Sequence, residues 1–269
     1  MIVLLIVILL IGLCYLFALR GRTRHRLLRR LRKWKYAHRG LHNAEIPENS
    51  LKAFAEAIEN GYGFELDVHL LADGELAVFH DRSLKRMCGE DVQIESLTYE
   101  QLTQYRLNDT DETIPTFRQV LDLCNGRVPM IVELKPFNGN HAELSEKTCE
   151  ALADYSGLFC MESFDPRCVR WFKDHHPQIV RGQLAHNSMK EGKGKVPFFL
   201  RVAMTNLLSN IWNQPDFIAY RFKDRVRPSV ILARKLWKMQ GVSWTLRNVE
   251  DYETAVNEGW IPIFEGFKP

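Results

Sequence analysis

Four short stretches of the chain set charged or titratable side chains where a core would carry none. His38-Arg39 closes the run KYAHR, Glu65 and Asp67 alternate in FELDV, Glu133 and Lys135 alternate in VELK, and His80-Asp81 ends LAVFHD. Residues two apart on an extended strand point to the same side, so Glu65 and Asp67 share a face. Such an acid pair repels itself unless a cation sits between. With Glu133, three carboxylates converge from two strands, a set suited to one hard cation with oxygen ligands, Mg²⁺ or Ca²⁺. His38 and His80 lie outside that cluster and suit general acid and base work near neutral pH. Arg39 and Lys135 supply positive charge for a phosphate. Together the residues are suited to metal-assisted cleavage of a phosphate ester. Taken singly, each has an inert reading: an E-x-D is more often a solvated strand face, and a lone histidine a surface group. Their shared placement at strand ends is what favours chemistry.

The elements that must position them alternate along the chain. Strand-like runs cover 35–39, 64–68, 129–134, 157–163, 179–184, 216–220, 241–246 and 260–266. Helical patterns cover 48–60, 116–124, 141–155, 166–175, 228–239 and 249–259. Eight apolar strands alternating with helices predict an α/β fold, a closed parallel (β/α)₈ barrel whose site gathers at the C-terminal ends of its strands. Two stretches depart from the alternation. An excursion follows the second strand after the Asp73-Gly74 turn. A second stretch, around HNSMKEGKGKVPFFLRVAMTNLLSN, carries Phe198, Phe199, Leu200, Met204, Leu207 and Leu208 as a lid or a membrane-facing surface.

The ordered motifs HRG–x₇–ENS–x₂–AF, G-x₃-E-x-D-V, D-G-x-L-x-V-x-H-D and E-L-K resemble the glycerophosphodiester phosphodiesterase family. The likeness is strong from Tyr36 to Lys135 and thinner beyond, where SFDP (163–166) and VSWTLRN (242–248) resemble later strands. The resemblance implies a TIM barrel that uses a divalent metal to hydrolyse glycerophosphodiesters to glycerol 3-phosphate and an alcohol. On it, Glu65, Asp67 and Glu133 would hold the ion, His38 and His80 would be the acid–base pair, and Arg39 and Lys135 would grip the phosphate. Glu48 and Asn49 match a segment near the site, and Trp244 an aromatic position by the substrate pocket. Three departures stand out. Gly63 replaces a frequent acid, Leu71-Ala72 a threonine, and the segment after the last strand, 264–269, a polar Thr-Asp/Asn-x-Pro. The first two are expected to affect packing, the last the pocket rim and leaving-group preference.

The N-terminus adds a second theme. Residues 2–19 form 18 consecutive positions without a charge, and residues 20–35 carry nine Lys or Arg and no acid. A helix of that length is about 27 Å long, near the ~30 Å hydrocarbon thickness, which predicts one uncleaved transmembrane anchor over 1–19. The basic collar at 20–35 then predicts a single-pass protein of the cell membrane, with the catalytic barrel of 36–269 on the cytoplasmic side and the collar against anionic head groups. Removing the collar's nine charges from the overall +3 leaves the rest at −6, which argues against nucleic acid as a partner. Six cysteines without CxxC pairing fit free thiols in a reducing compartment. A membrane tether also raises a second substrate, a lysophospholipid cleaved in the manner of a lysophospholipase D. An answer of another class is a non-catalytic module that binds lipid head groups.

Overall fold

The computed structural model describes residues 1–190 and 196–269. All eight expected strands form: β1 (Tyr36–Ala37), β2 (Gly63–Leu70), β4 (Met130–Leu134), β5 (Phe159–Ser163), β6 (Arg181–Ala185), β7 (Phe217–Arg221), β8 (Gln240–Leu246) and β9 (Trp260–Phe264). β1 pairs in parallel with both β2 and β9, so the sheet closes into the predicted barrel. A further strand, β3 (Leu76–Val78), returns antiparallel along β2 through the Asp73-Gly74 turn. Gly74 sits at φ +85°, a conformation glycine adopts without a Cβ penalty.

The helices begin where side chains can serve the free N–H groups of a first turn. Ser50 Oγ accepts from Ala53 N at the start of helix Leu51–Glu59. Thr116 and Gln119 form a reciprocal capping box on Phe117–Cys124. Asp165 caps Pro166–His175, whose first position is proline.

Alternation along the strands divides the barrel into layers. Ile131, Cys160, Phe217, Ala219, Val242, Ile261 and Ile263 form an apolar lower interior, joined from below by Leu28 and Leu31. The basic run is therefore folded onto the barrel. Its short helix Leu28–Leu31 plugs the lower end, Tyr36 Oη donates to Leu31 O at 2.9 Å, and Arg22 pairs with the buried Asp216. Arg24, Arg26, Arg29, Arg30, Arg32 and Lys33 stay exposed. The excursion after β3 packs as a satellite cluster around Phe79, Leu84, Met87, Ile94 and Leu102.

The expected transmembrane span needs correction. The apolar run forms a helix, but it covers Ile2–Ala18, 17 residues, and no helix among the described residues is long and apolar enough to cross a membrane. Leu19 is fully buried in the barrel core and Trp237 Nε1 donates to Leu16 O, so the last turn docks against the barrel. Residues 2–13 leave that dock with their side chains exposed. The anticipated apolar face at 198–208 divides similarly. Phe198 and Phe199 are each 68% exposed on helix Phe198–Thr205, whereas Leu207 is fully buried. Residues 191–195 of that stretch lie outside the described residues.

Candidate active site

The upper interior replaces hydrocarbon with charge. Glu65 and Asp67 on β2 lie beside Glu133 on β4, with Asp67 in register opposite Glu133, and ligand oxygens of all three fall within 4.8 Å of one another. The sequence-predicted metal ligands therefore converge, and all three are buried. Burial first, then the charges of Asp67 and Glu133, pushes the Glu65 carboxyl well above the usual carboxylate range. Burial, partly offset by Lys135, raises Glu133 to about 7. Burial also opposes the Asp67 charge, but Lys135 and Arg39 outweigh it and hold that carboxyl low. Two of three carboxyls thus resist ionisation. Lys135 Nζ stands 2.6 Å from Glu133 Oε1 and 3.0 Å from Asp67 Oδ1. Both are ion-pair contacts. Three converging carboxyls, all oxygen donors that repel one another when ionised, fit a hard divalent cation.

β1 delivers His38 and Arg39 to the same rim. Arg39 N donates to Glu65 Oε2 at 3.1 Å, and its Nε lies 3.4 Å from Asp67 Oδ2. Arg39 sits at φ +54°, and Gly40 follows at φ +81° with its α-carbon face against Ala53, where a Cβ would come within 2.8 Å of backbone. The glycine of the HRG motif is there because the helix after it approaches too closely for any side chain. His38 Nε2 lies 3.9 Å from Glu65 Oε2, while its Nδ1 is 2.5 Å from Glu265 Oε2. Burial pulls His38 down to about 4, against the Glu265 hydrogen bond, so the ring is neutral near neutral pH.

His80 arrives by the β2–β3 hairpin. Its Nδ1 is 2.6 Å from Asp81 Oδ1, and burial lowers its pKa. Asp81 also accepts from Arg86, Arg86 donates to Glu48, and Glu48 accepts from Arg39. That chain of ion pairs ties the His80 segment to the His38 segment. Asn49, at φ +55°, donates to Asp67 Oδ2 at 2.8 Å. Trp244 stands apart from the carboxylates on β8. Its ring meets Phe164 edge-on at 5.6 Å and His186 at 6.4 Å, and its Nε1 is buried without a hydrogen-bond partner.

Several participants were not read from sequence. Glu162 lies opposite Glu133 in register, is buried, and burial followed by Glu133 raises its carboxyl well above the usual range. Its position two residues after the inward-facing Cys160 was a usable signal. Glu265 lies in the departing segment 264–269, and no local pattern marks it as the partner of His38. Phe164 falls within the SFDP stretch, whereas Arg86 and His186 carried no local signal. Gly63, another of the three departures, has a packing cause: a Cβ there would come within 2.8 Å of Pro129 O and 2.9 Å of the Tyr36 ring.

The pattern of the Glycerophosphoryl diester phosphodiesterase family matches residues 38–264. The chain belongs to that family. As a glycerophosphoryl diester phosphodiesterase it is a phosphodiester-cleaving enzyme, and its motifs occupy one end of the barrel. A glycerophosphodiester phosphodiesterase of Caldanaerobacter subterraneus subsp. tengcongensis is 25% identical over 233 residues, 83% of this chain and 89% of its own. A solved Oleispira antarctica phosphodiesterase, in complex with the product sn-glycerol-3-phosphate, superposes with a TM-score of 0.72 at 21% identity. That alignment covers 86% of this chain and 92% of the other, and supports the shared fold. A Homo sapiens lysophospholipase D is 29% identical over 133 residues, 45% of this chain and 41% of its own.

Proposed function

We propose that this family member hydrolyses glycerophosphodiesters to glycerol 3-phosphate and an alcohol, with His38 and His80 as the acid–base pair. The observation that carries the reading is the meeting of three buried carboxylates with two carboxylate-held imidazoles at one barrel mouth. Glu65, Asp67 and Glu133 would hold a divalent cation, Mg²⁺ or Ca²⁺, which when bound supplies charge stabilisation to the reacting phosphoryl group. Arg39 and Lys135, both inside the cluster, would turn toward phosphate oxygens when substrate enters. Glu265 and Asp81 each take the Nδ1–H of a histidine, which turns both Nε2 atoms to the substrate side, bearing a lone pair on the base and a proton on the acid. One imidazole takes the proton from the attacking oxygen as the new P–O bond forms. The other returns a proton to the leaving alkoxide as its bond to phosphorus breaks. Trp244, with Phe164 and His186, would form the wall against which the alcohol portion rests.

Release of glycerol 3-phosphate from glycerophosphocholine, with and without EDTA, tests this reading. Activity should vanish with chelation, return with Mg²⁺ or Ca²⁺, and fall by about two to four orders of magnitude in His38→Ala. Undiminished turnover in Glu65→Ala, or after exhaustive chelation, refutes the assigned site. Loss of all activity toward every diester in the untouched enzyme would favour a head-group-binding module instead.

The exposed apolar helix Ile2–Ala18 and the exposed Phe198 and Phe199 favour a second reading, cleavage of lysophospholipids at a bilayer. Turnover of lysophosphatidylcholine against glycerophosphocholine separates the two. The same helix, followed by the exposed arginines at 24–32, supports attachment to the cytoplasmic face of the cell membrane.

A further inference from the structure

Beside the carboxylate cluster stands a second group of potential ligands of different chemical character. His38, His42 and Glu265 each offer one ligand atom, and these atoms lie within 4.8 Å of one another. His42 is half-buried in the segment after β1, and its Nε2 has no hydrogen-bond partner despite being shut off from solvent. His38 and Glu265 already touch. The polar group facing Glu265 from outside is Arg247, at 3.0 and 3.2 Å, whose side chain is 63% exposed and free to swing aside. Nothing in phosphodiester cleavage as described above uses His42.

We propose that His38, His42 and Glu265 form an inhibitory zinc site that captures the acid–base histidine. Two imidazoles and one carboxylate make up a donor set that suits Zn²⁺, with a fourth position left for water. Bond lengths of about 2.0–2.2 Å place the ligand atoms of a tetrahedral site about 3.4 Å apart, which small side-chain rotations from the observed positions achieve. The neighbouring Glu65, Asp67 and Glu133 set is all oxygen and prefers Mg²⁺ or Ca²⁺. The two sites are therefore sorted by ligand softness, and His38 is the residue they share as neighbours. Zinc on Nε2 of His38 occupies the lone pair directly. Zinc on Nδ1 displaces the proton now shared with Glu265 and leaves the hydrogen on Nε2. With the metal on either nitrogen, the ring can no longer take up a proton from the attacking oxygen.

The inhibition rests on the acid–base role proposed for His38, but zinc binding does not, so the two are measured separately. Equilibrium dialysis of the full chain against zinc, with Ca²⁺ saturating, should retain one zinc per chain in the wild type and none in His42→Gln or His42→Asn. In the diester assay under the same Ca²⁺, zinc should inhibit the wild type. Both variants should keep basal turnover, which also reports that they fold. Losing an outer-shell partner costs a metal site about ten- to a hundredfold in affinity, so losing a direct ligand should raise the inhibiting zinc concentration at least tenfold. No zinc retained by the wild type, or equal retention in the His42 variants, overturns the site. Equal inhibition of wild type and variants places the zinc on the carboxylate cluster and likewise overturns it. A wild type inactive on diesters that still binds zinc through His42 would refute the proposed function and leave the metal site standing.

Discussion

At the scale of single residues, the site is governed by how burial and neighbouring charge set protonation. His38 would be a poor acceptor if it were charged, and burial prevents that by pulling it to about 4. Glu265 acts in the opposite sense. Burial opposes its charge, but the hydrogen bond from His38 outweighs that and holds the carboxyl at about 2, so it is an anion throughout the working range and supports protonation of the ring. The sign of a pH experiment follows. As pH falls, His38 protonates and the acid limb of kcat/KM should lie below the ordinary histidine value of about 6.5. Glu265→Gln removes the anion that raises His38, so the limb should move to lower pH while kcat drops and KM changes little. A limb that stays in place would show that Glu265 does not govern His38. This pairing was invisible in the sequence, where 227 positions separate the partners.

At the scale of elements, close approach between strands decides which residues are tolerated. Gly63 opens β2 where β1 and the Pro129 carbonyl press on it. Gly63→Ala should destabilise the barrel by about 1–3 kcal/mol through overpacking. That corresponds to a melting temperature lower by about 2–4 °C for each kcal/mol, read by calorimetry, with unchanged metal requirement in the folded fraction. Strand identity and helix positions were legible because period-2 and period-3.6 patterns are local. Glu65-x-Asp67 and Glu133-x-Lys135 could be assigned to inward faces for the same reason. The β2–β3 hairpin was legible through Asp73-Gly74. The satellite cluster around Phe79 and Ile94 was not, because its apolar residues face a partner supplied by distant chain rather than by a repeat.

At the scale of the whole molecule, the N-terminal segment has two physical jobs. Leu28 and Leu31 seal the lower end of the barrel, while residues 2–13 project with apolar side chains exposed. Deleting residues 2–13 should leave diester turnover within about twofold and weaken co-sedimentation with anionic vesicles without abolishing it, since the exposed collar still supplies about 1 kcal/mol per basic residue near such a surface. Undiminished sedimentation of the shortened protein would show that the apolar helix takes no part in attachment. Leu31→Asp, by contrast, buries a charge against Tyr36 and Phe217 and should cost several kcal/mol, seen as loss of the cooperative thermal transition.

The sequence by itself determined the eight-strand barrel, its alternating helices and the three carboxylates that meet at its mouth. Each of those rests on a short period or on motif residues whose strands lie next to one another. Tertiary structure alone decided three matters. It docked the last turn of the apolar run against Trp237 and the core, where the helix ends at Ala18. It folded Leu28 and Leu31 of the basic collar under the barrel, and it closed the ring so that Glu265, just past the last strand, meets His38, just past the first. Closure is a long-range event: nothing within a few residues of either side chain encodes it, and only the pairing of β1 with β9 brings them together.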